Sequence, residues 1–530
     1  MKYFIQKRNS NLLKIYRGYQ KLKKNNNLIF IDDIKRQLTS TPLFTSNKIN
    51  TCLIIDSNEV NLEICARQLI LSRYTGIEFN KEILKTFSNN NYKFSYSLPL
   101  VWLKVLKNNH IRVNLIRSSF LWHIEILKYF IFSFHEIFIQ SKRTIISIFN
   151  NEFKNDESFV YFDSLVHSNL PNKNGTFKYG IFPWYLKWRS EVGANFFAHS
   201  VPNHDGFFLN DKVRVDYLKH QFSSPRTIIK LFKFVIFSFW KIFQSTTLLF
   251  FGKWWNLLLL KEFLLSEVVK LNKGKGLAKT YLFHNSSWIY RPIWTYSAEK
   301  IGTEILFYFY STNIERFKKI DEQAKIPNSW EIVTWSNLLV WDKYQEDFIK
   351  KNVLHKNKIK IVGPIEFNAS KDLEIGIMQN SIAIFDVQPV RTSFYISLGM
   401  DQEYYTPEIT NIFLDDIVEC ASICGLNVSF KRKRNIKKLS NTKYTNKLKQ
   451  LANNKIFNNI DPLITAEQII EKSKATISMP FTSTALIAKF MDKPSVFYDP
   501  SCIIQKDDIA AHGIEIISNK VDLLNWMSKL

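Results

Sequence analysis

The stretch ATISMPFTSTALIAKFMDKPSVFYDP, residues 475–500, decides the fold. ATISMP is a short apolar run that stops at Pro480; STALIAKFM then carries helical periodicity, and PSVFYDP returns to a strand. Strand, helix and strand in so short a span form the unit of a parallel sheet. Thr482, Ser483 and Thr484 fall at the first turn of the helix, where backbone N–H groups lack intrahelical partners and the dipole is positive. Two readings stand there. The hydroxyls are an ordinary N-cap, or, with Ser478 on the preceding strand, they cradle a phosphate at the strand end where open α/β sheets bind ligands.

The same grammar runs outward in both directions. SIAIFDVQPV (381–390) and LNVSFKRKR (426–434) read as strands around the helix PEITNIFLDDIVECASICG (407–425), closed by Gly425. TAEQIIEKSK (465–474) is a helix with Thr465 and Gln468 at capping-box spacing. Upstream, SFVYFDSL (158–165) is a strand, 280–313 reads as strand, helix and strand, and SWEIVTWSN (329–337) and KIKIVGPIEF (358–367) are two strands more. TCLIID (51–56) is a buried-strand signal followed by helical periodicity. A polar gap near 365–378 splits the pattern into two blocks. The expectation is an α/β protein of two doubly wound, Rossmann-like domains. A basic, partly helical lead-in covers 1–50, and an N-terminal domain covers 51–365 with an aromatic-rich helical insertion around 226–270. A C-terminal domain covers 378–530.

Composition prunes function. With 46% hydrophobic and 22% charged residues, the 530-residue chain is globular. Only 15 residues are Gly, which disfavours glycine-rich phosphate loops, and GKGLAKT (274–280) has Ala278 where a P-loop needs its second Gly. No two aspartates are separated by a single residue, so the Asp-x-Asp metal site of one large sugar-transferase class is missing, and no metal site is expected. The net charge of +25 favours anionic partners. The five cysteines show neither zinc spacing nor a disulfide framework, which points to a reducing compartment. The basic N-terminal segment lacks the apolar core of a signal peptide, so a cytoplasmic location is expected. The run at 234–252 carries a single charge, Lys241. It reads as a membrane span, a buried helix or a helix resting on a membrane, and 121–139 is similarly aromatic.

Several side chains are placed for chemistry. Lys431 and Lys433 alternate with Arg432 and Arg434 at a strand end, either as a solvated basic edge or with one pair in the cleft against phosphate. Gln388, after the first strand of the second block, is a bland turn residue or a hydrogen-bond partner for a base or sugar. In the first block Asp163 and His284 end strands, and Glu299 lies on the helix after the second of these. Each is a structural residue or a candidate for acid/base or nucleophilic work. Aromatic and polar residues behind His284 (Trp288, Tyr290, Arg291) suit carbohydrate recognition.

ISMPFTSTALIAK, KPSVFYDP, FYFYSTNIE, RPIWTY and KIVGPIEF resemble the bacterial polysaccharide biosynthesis proteins named for a Pro-Phe-Thr-Ser motif, from about residue 50 to about 500. That group is similar to two-domain GT-B glycosyltransferases and, more distantly, to transferases that use CMP-activated sialic acid or Kdo. The resemblance implies that Ser483-Thr484 matches a Ser-Ser/Ser-Thr motif around the CMP phosphate. No His-Pro motif occurs; the FKRKR strand end stands where one is expected, and Gln388-Pro389 matches a Gln-Pro motif of the Kdo transferases. The implied protein is a metal-independent glycosyltransferase, with a nucleotide sugar as co-substrate and no cofactor. Its donor sites are Gln388, Lys431, Lys433, Arg434, Ser478, Thr482, Ser483 and Thr484; its catalytic candidates are Asp163, Glu299 and His284. It would build an O-antigen- or capsule-type polysaccharide on an oligosaccharide or lipid-linked acceptor, peripherally at the inner membrane, with no nucleic-acid partner. The alternative is a non-catalytic carbohydrate- or nucleotide-binding assembly protein.

Overall fold

The computed structural model describes residues 2–25, 30–44, 61–89, 91–150, 157–170, 180–189, 196–203, 206–209, 213–284, 288–312, 318–320, 329–367, 376–398, 404–432, 436 and 439–530. Two parallel-sheet α/β halves follow one another. The first sheet contains β1 (Phe159–Phe162), β2 (Phe196–His199), β3 (Phe207–Leu209), β4 (Val213–Tyr217), β5 (Thr280–His284), β6 (Glu304–Tyr308), β7 (Asn337–Val340) and β8 (Lys358–Ile361). Their order is β3-β4-β2-β1-β5-β6-β7-β8, all parallel except the β3–β4 pair. The second sheet contains β9 (Ser381–Phe385), β10 (Asn427–Lys431), β11 (Phe457–Ile460), β12 (Ala475–Ser478), β13 (Ser495–Tyr498) and β14 (Glu515–Ile517), ordered β11-β10-β9-β12-β13-β14 and all parallel. Strands such as FVYF, SIAIF and ATIS are buried at every position because helices or the other half cover both faces.

In each sheet the chain winds outward in one direction and then the other. The reversal falls between β1 and β5 in the first sheet and between β9 and β12 in the second. Crevices at such switch points are where open α/β sheets bind ligands. The second half docks against segments that follow the carboxyl ends of first-sheet strands. Lys319, after β6, pairs with Ile504; Asp342, after β7, bonds His512 at 2.6 Å; Gly363, after β8, lies against Phe490. One apolar core runs from Val160 and Phe162 through Ile365 and Phe367 into the second sheet.

Local signals explain the helices. Thr465 and Gln468 form a reciprocal capping box, and Thr406 caps Pro407–Ile423, with Gly425 left-handed (φ 65°) beyond its end. The basic N-terminal segment is helical where it is described and packs into the first core. The Lys2–Lys24 helix approaches the Ile77–Ser88 helix so closely at Gly18 that a Cβ there would sit 1.9 Å from the Leu84 carbonyl oxygen, and Ile15, Tyr19 and Leu22 join the first core. The strand expected over 329–337 is instead a 3-10 turn, Trp330–Ile332, with β7 starting at Asn337. Trp330 and Trp335 bury in the same core, whereas residues five apart on a strand point to opposite faces. The strand expected at 51–56 lies outside the described residues.

The 234–252 run belongs to the helix Ile228–Phe250. Among the described residues no helix is long and apolar enough to cross a membrane. Nor is it a buried helix: Phe232, Trp240 and Phe243 are 65%, 56% and 64% exposed.

Candidate functional site

The crevice between β9 and β12 gathers most of the anticipated donor residues. The Met479 N–H bonds the Phe385 carbonyl at 2.9 Å, and the chain then turns through Phe481, held left-handed at φ 61°. That conformation is uncommon for a bulky residue, and such outliers cluster at functional turns. Tyr405 anchors the turn by donating to the Pro480 carbonyl at 3.0 Å. Thr482 stands at the N-cap of Ser483–Phe490, yet its side chain makes no capping bond. Its hydroxyl instead donates back to the Met479 carbonyl at 2.8 Å and lies 3.3 Å from the Thr484 hydroxyl, which in turn is 2.8 Å from that of Ser478. The ordinary-cap reading fails on this geometry. Three hydroxyls form one chain beside a first turn whose N–H groups Thr482 leaves unmet, an arrangement suited to an anion.

Across the crevice, Gln388 follows β9 and donates to the Ser440 hydroxyl at 3.4 Å. Lys431, at the end of β10, points its ammonium to the Arg432 carbonyl at 3.5 Å. Lys433 and Arg434 lie outside the described residues. The sequence reading passed over Asp386, the residue directly after β9. It is buried, with one carboxylate oxygen accepting from the Tyr444 hydroxyl at 2.6 Å and the other unpartnered among the described residues. Burial pushes its pKa up to about 7, against the opposing pull of the Tyr444 hydrogen bond and the Arg432 charge. The Arg432 Nε is likewise buried without a partner among the described residues. The signal was legible: an Asp directly after an apolar strand, the same pattern that singled out Asp163.

The crevice between β1 and β5 brings Asp163 and His284 together. Asp163 continues β1, its N–H bonding the Leu282 carbonyl at 2.9 Å, and its carboxylate accepts from Gln221 at 2.7 Å and from Ser164 at 2.6 Å. Burial raises its pKa, only partly opposed by those two donors. Burial lowers the His284 pKa to about 4, against a hydrogen bond to the Asp163 backbone. A carbonyl can only accept, so the ring nitrogen facing it carries the proton; Nε2 is then a buried lone pair without a partner among the described residues. The ring packs on Phe367 at 4.3 Å between centroids, on the segment leading to the second half. Neutral imidazole and buried carboxylate thus share one pocket.

Glu299 is not brought there. It sits near the end of the Trp294–Lys300 helix, pairs with the buried Arg291 and accepts from Ser336 at 3.0 Å. Ser336 immediately precedes β7, which places Glu299 at the amino end of the sheet, opposite Asp163. Arg291 itself is fully buried, with its guanidinium 3.8 Å from the centre of the Tyr296 ring, and serves the core rather than carbohydrate recognition. A cavity of about 630 Å³ lies elsewhere, between the first sheet and the helix Leu115–Phe149, lined in part by Arg143, Arg214 and His220. Arg214 there is already paired with Glu157 at 2.6 Å and Asp216 at 2.7 Å, so the two switch-point crevices remain the better candidates.

The family model of the polysaccharide biosynthesis PFTS motif proteins matches residues 236–527. The chain belongs to that family. Its namesake tetrapeptide, Pro480 to Ser483, is the uncapped turn at the β9–β12 crevice. No curated protein matches the chain. Among solved structures it is similar to the UDP-GlcNAc 2-epimerase of Methanocaldococcus jannaschii, at 10% identity and a TM-score of 0.37, over 70% of this chain and 92% of the other. It is also similar to the wall teichoic acid polymerase TagF, at 10% identity and a TM-score of 0.36, over 76% and 88%. A third is the glycotransferase of kitacinnamycin, at 8% identity and a TM-score of 0.34, over 71% and 91%. At these levels the likeness is one of chain outline, and function has to be argued from the PFTS protein's own residues.

Proposed function

We propose that this PFTS motif protein is a glycosyltransferase that moves a sugar from a nucleotide-sugar donor onto a growing cell-surface polysaccharide. The observation that carries the reading is the uncapped first turn at Ser483, flanked by the Ser478–Thr484–Thr482 hydroxyl chain at a switch point. Donor phosphate lies on that turn, where N–H groups, hydroxyls and the cations of β10 meet its charge; Lys433 and Arg434 extend the same basic run. By family resemblance the best donor class is a CMP-activated nonulosonic acid or a Kdo-like sugar, as co-substrate and with no cofactor.

The acceptor, an oligosaccharide or lipid-linked glycan, approaches from the β1–β5 crevice. His284 Nε2, neutral and unpartnered among the described residues, takes the proton of the attacking hydroxyl, while the Asp163 carbonyl fixes the ring tautomer. The acceptor oxygen bonds the anomeric carbon as the bond to phosphate breaks and the nucleotide leaves with the electron pair. Transfer needs no divalent metal in this scheme, because amides and cations already oppose the leaving phosphate. The +25 charge and the exposed aromatic helices support a peripheral site of work at an anionic inner-membrane surface. Nucleotide release from candidate donors in excess EDTA is the test: sustained turnover supports the scheme, and complete loss with EDTA removes its metal-free step. One observation favours a second reading. Both Asp163 oxygens are already engaged, as in a structural carboxylate, and a non-catalytic binding protein would hold nucleotide without turnover.

A further inference from the structure

Two neighbouring helices carry apolar outer faces over partly polar inner ones. The helix Leu115–Phe149 buries Ser133, Glu136, Gln140 and Thr144 beside Trp122, Ile126, Tyr129 and Ile137, and Ile228–Phe250 buries Ser238, Lys241 and Ser245 beside Phe234 and Ile242. Outward they present Phe120 (65% exposed), Phe138 (66%), Phe149 (81%), Ile229 (70%), Phe250 (85%) and others. A surface helix in water shows the opposite pattern, apolar inward and polar outward. The two helices pack on one another, with the Phe134 and Phe239 rings 6.2 Å apart. Together they leave on the order of 1,000 Å² of apolar surface uncovered, where monomeric soluble proteins rarely expose more than a few hundred.

Several polar groups of the pair are satisfied within the protein, although Thr144 Oγ1 and Trp122 Nε1 have no partner among the described residues. Ser133 and Ser238 donate to the carbonyls of Tyr129 and Phe234 at 2.9 and 2.6 Å. Thr247, although exposed, donates to the Phe243 carbonyl at 3.0 Å. Gln140 donates to Glu136 at 2.7 Å, and Lys261 from the adjoining helix reaches Glu136 at 3.4 Å. Internal satisfaction of this kind is what hydrocarbon demands and water does not. The charges still exposed on the pair are Arg117, Lys128, Lys142 and Lys233, of which Lys128 pairs with the half-buried Glu125. A second copy of this face would set those cations against their own kind; lipid phosphate complements them.

We propose that these two helices are an insertion device, buried together in one leaflet of an anionic bilayer with their long axes near the membrane plane. The 35 residues of Leu115–Phe149 span roughly 52 Å at about 1.5 Å each, well over the ~30 Å hydrocarbon thickness. No described helix is long and apolar enough to cross. The proposal sharpens the membrane part of the reading above and stands whether or not the β9–β12 crevice binds a nucleotide.

Flotation of the full chain with phosphatidylglycerol/phosphatidylcholine vesicles tests it. The chain should float with anionic vesicles and at least tenfold less with phosphatidylcholine alone, and high salt should release only part of it. Phe232→Ser/Trp240→Ser/Phe243→Ser, all outward, should lower anionic-vesicle partition at least tenfold with Tm preserved. Arg117→Gln/Lys128→Gln/Lys142→Gln/Lys233→Gln should remove the preference for anionic lipid. Nucleotide titration of the same samples reports on the crevice separately. Failure of the native chain to float, undiminished flotation of the triple serine variant, or a lipid-free dimer dissolved by that variant would each overturn the proposal.

Discussion

At the carboxyl ends of β1 and β5 stand a carboxylate and an imidazole, both desolvated, one with its pKa raised and the other lowered to about 4. At the ends of β9 and β12 stand linked hydroxyls, a helix turn without its side-chain cap and an arginine nitrogen without a partner among the described residues. Both crevices lie at the switch point of a parallel sheet, so the fold alone does not tell them apart; their chemistry does. Groups whose protonation is set by burial suit proton transfer, and fixed donors suit holding an anion that keeps its charge throughout. Under the proposed function the difference is a division of labour between one crevice that binds and one that reacts.

Substitutions in the first crevice should break that division most visibly. His284→Ala should lower kcat by about 10²–10⁴, the usual worth of a positioned base, whereas Asp163→Asn, which keeps the backbone carbonyl that holds the ring, should lower it far less, with nucleotide affinity unchanged in both. Turnover should also fall on the acid side as His284 protonates near pH 4, and the His284→Ala residual rate should lack that limb. A loss of donor binding in either variant would erase the distinction between the crevices.

Asp386 sharpens the comparison from the other side. Its pKa, raised from 3.8 to about 7, means the folded state keeps a proton that the unfolded chain releases. The stabilisation from that proton is complete below about pH 3.8 and is lost as pH rises through 7. Asp386→Asn should therefore be more stable than the native chain at pH 8, by about 4 kcal/mol, and the gap should close toward pH 4, as read by denaturant unfolding. A smaller effect is expected of Glu299→Gln. Weakening the partner of a buried arginine should cost about 2 kcal/mol of stability while the folded fraction turns over normally. If Glu299→Gln folds and is inactive, chemistry reaches the amino end of the first sheet and the two-crevice account fails.

Much of this was legible in the sequence. The strand–helix–strand units, the Thr465–Gln468 box and the position of Thr482 follow from periodicity and capping chemistry, which act over a few residues. Asp163 and His284 were legible as strand ends, but not as neighbours, because β1 and β5 meet only through the sheet order. The partner of Glu299 was hidden for a related reason: Arg291 precedes the helix and turns back into the core. Trp330 and Trp335 defeated a strand reading because a shared core outweighed β propensity. For Leu115–Phe149 and Ile228–Phe250 the apolar content was visible, but not that serines and a lysine face inward, since that depends on which side the first sheet lies.

The central claim is that the uncapped turn of the PFTS motif holds the donor phosphate. Titration calorimetry of CMP, UDP and GDP against the native chain and Ser483→Ala/Thr484→Ala tests it most directly. Two donors to a charged group removed at once should weaken binding of the preferred nucleotide by about 10- to 100-fold, while the loss of stability stays near 1 kcal/mol. Native-like affinity in the double variant, or no nucleotide binding by the native chain, would contradict the account.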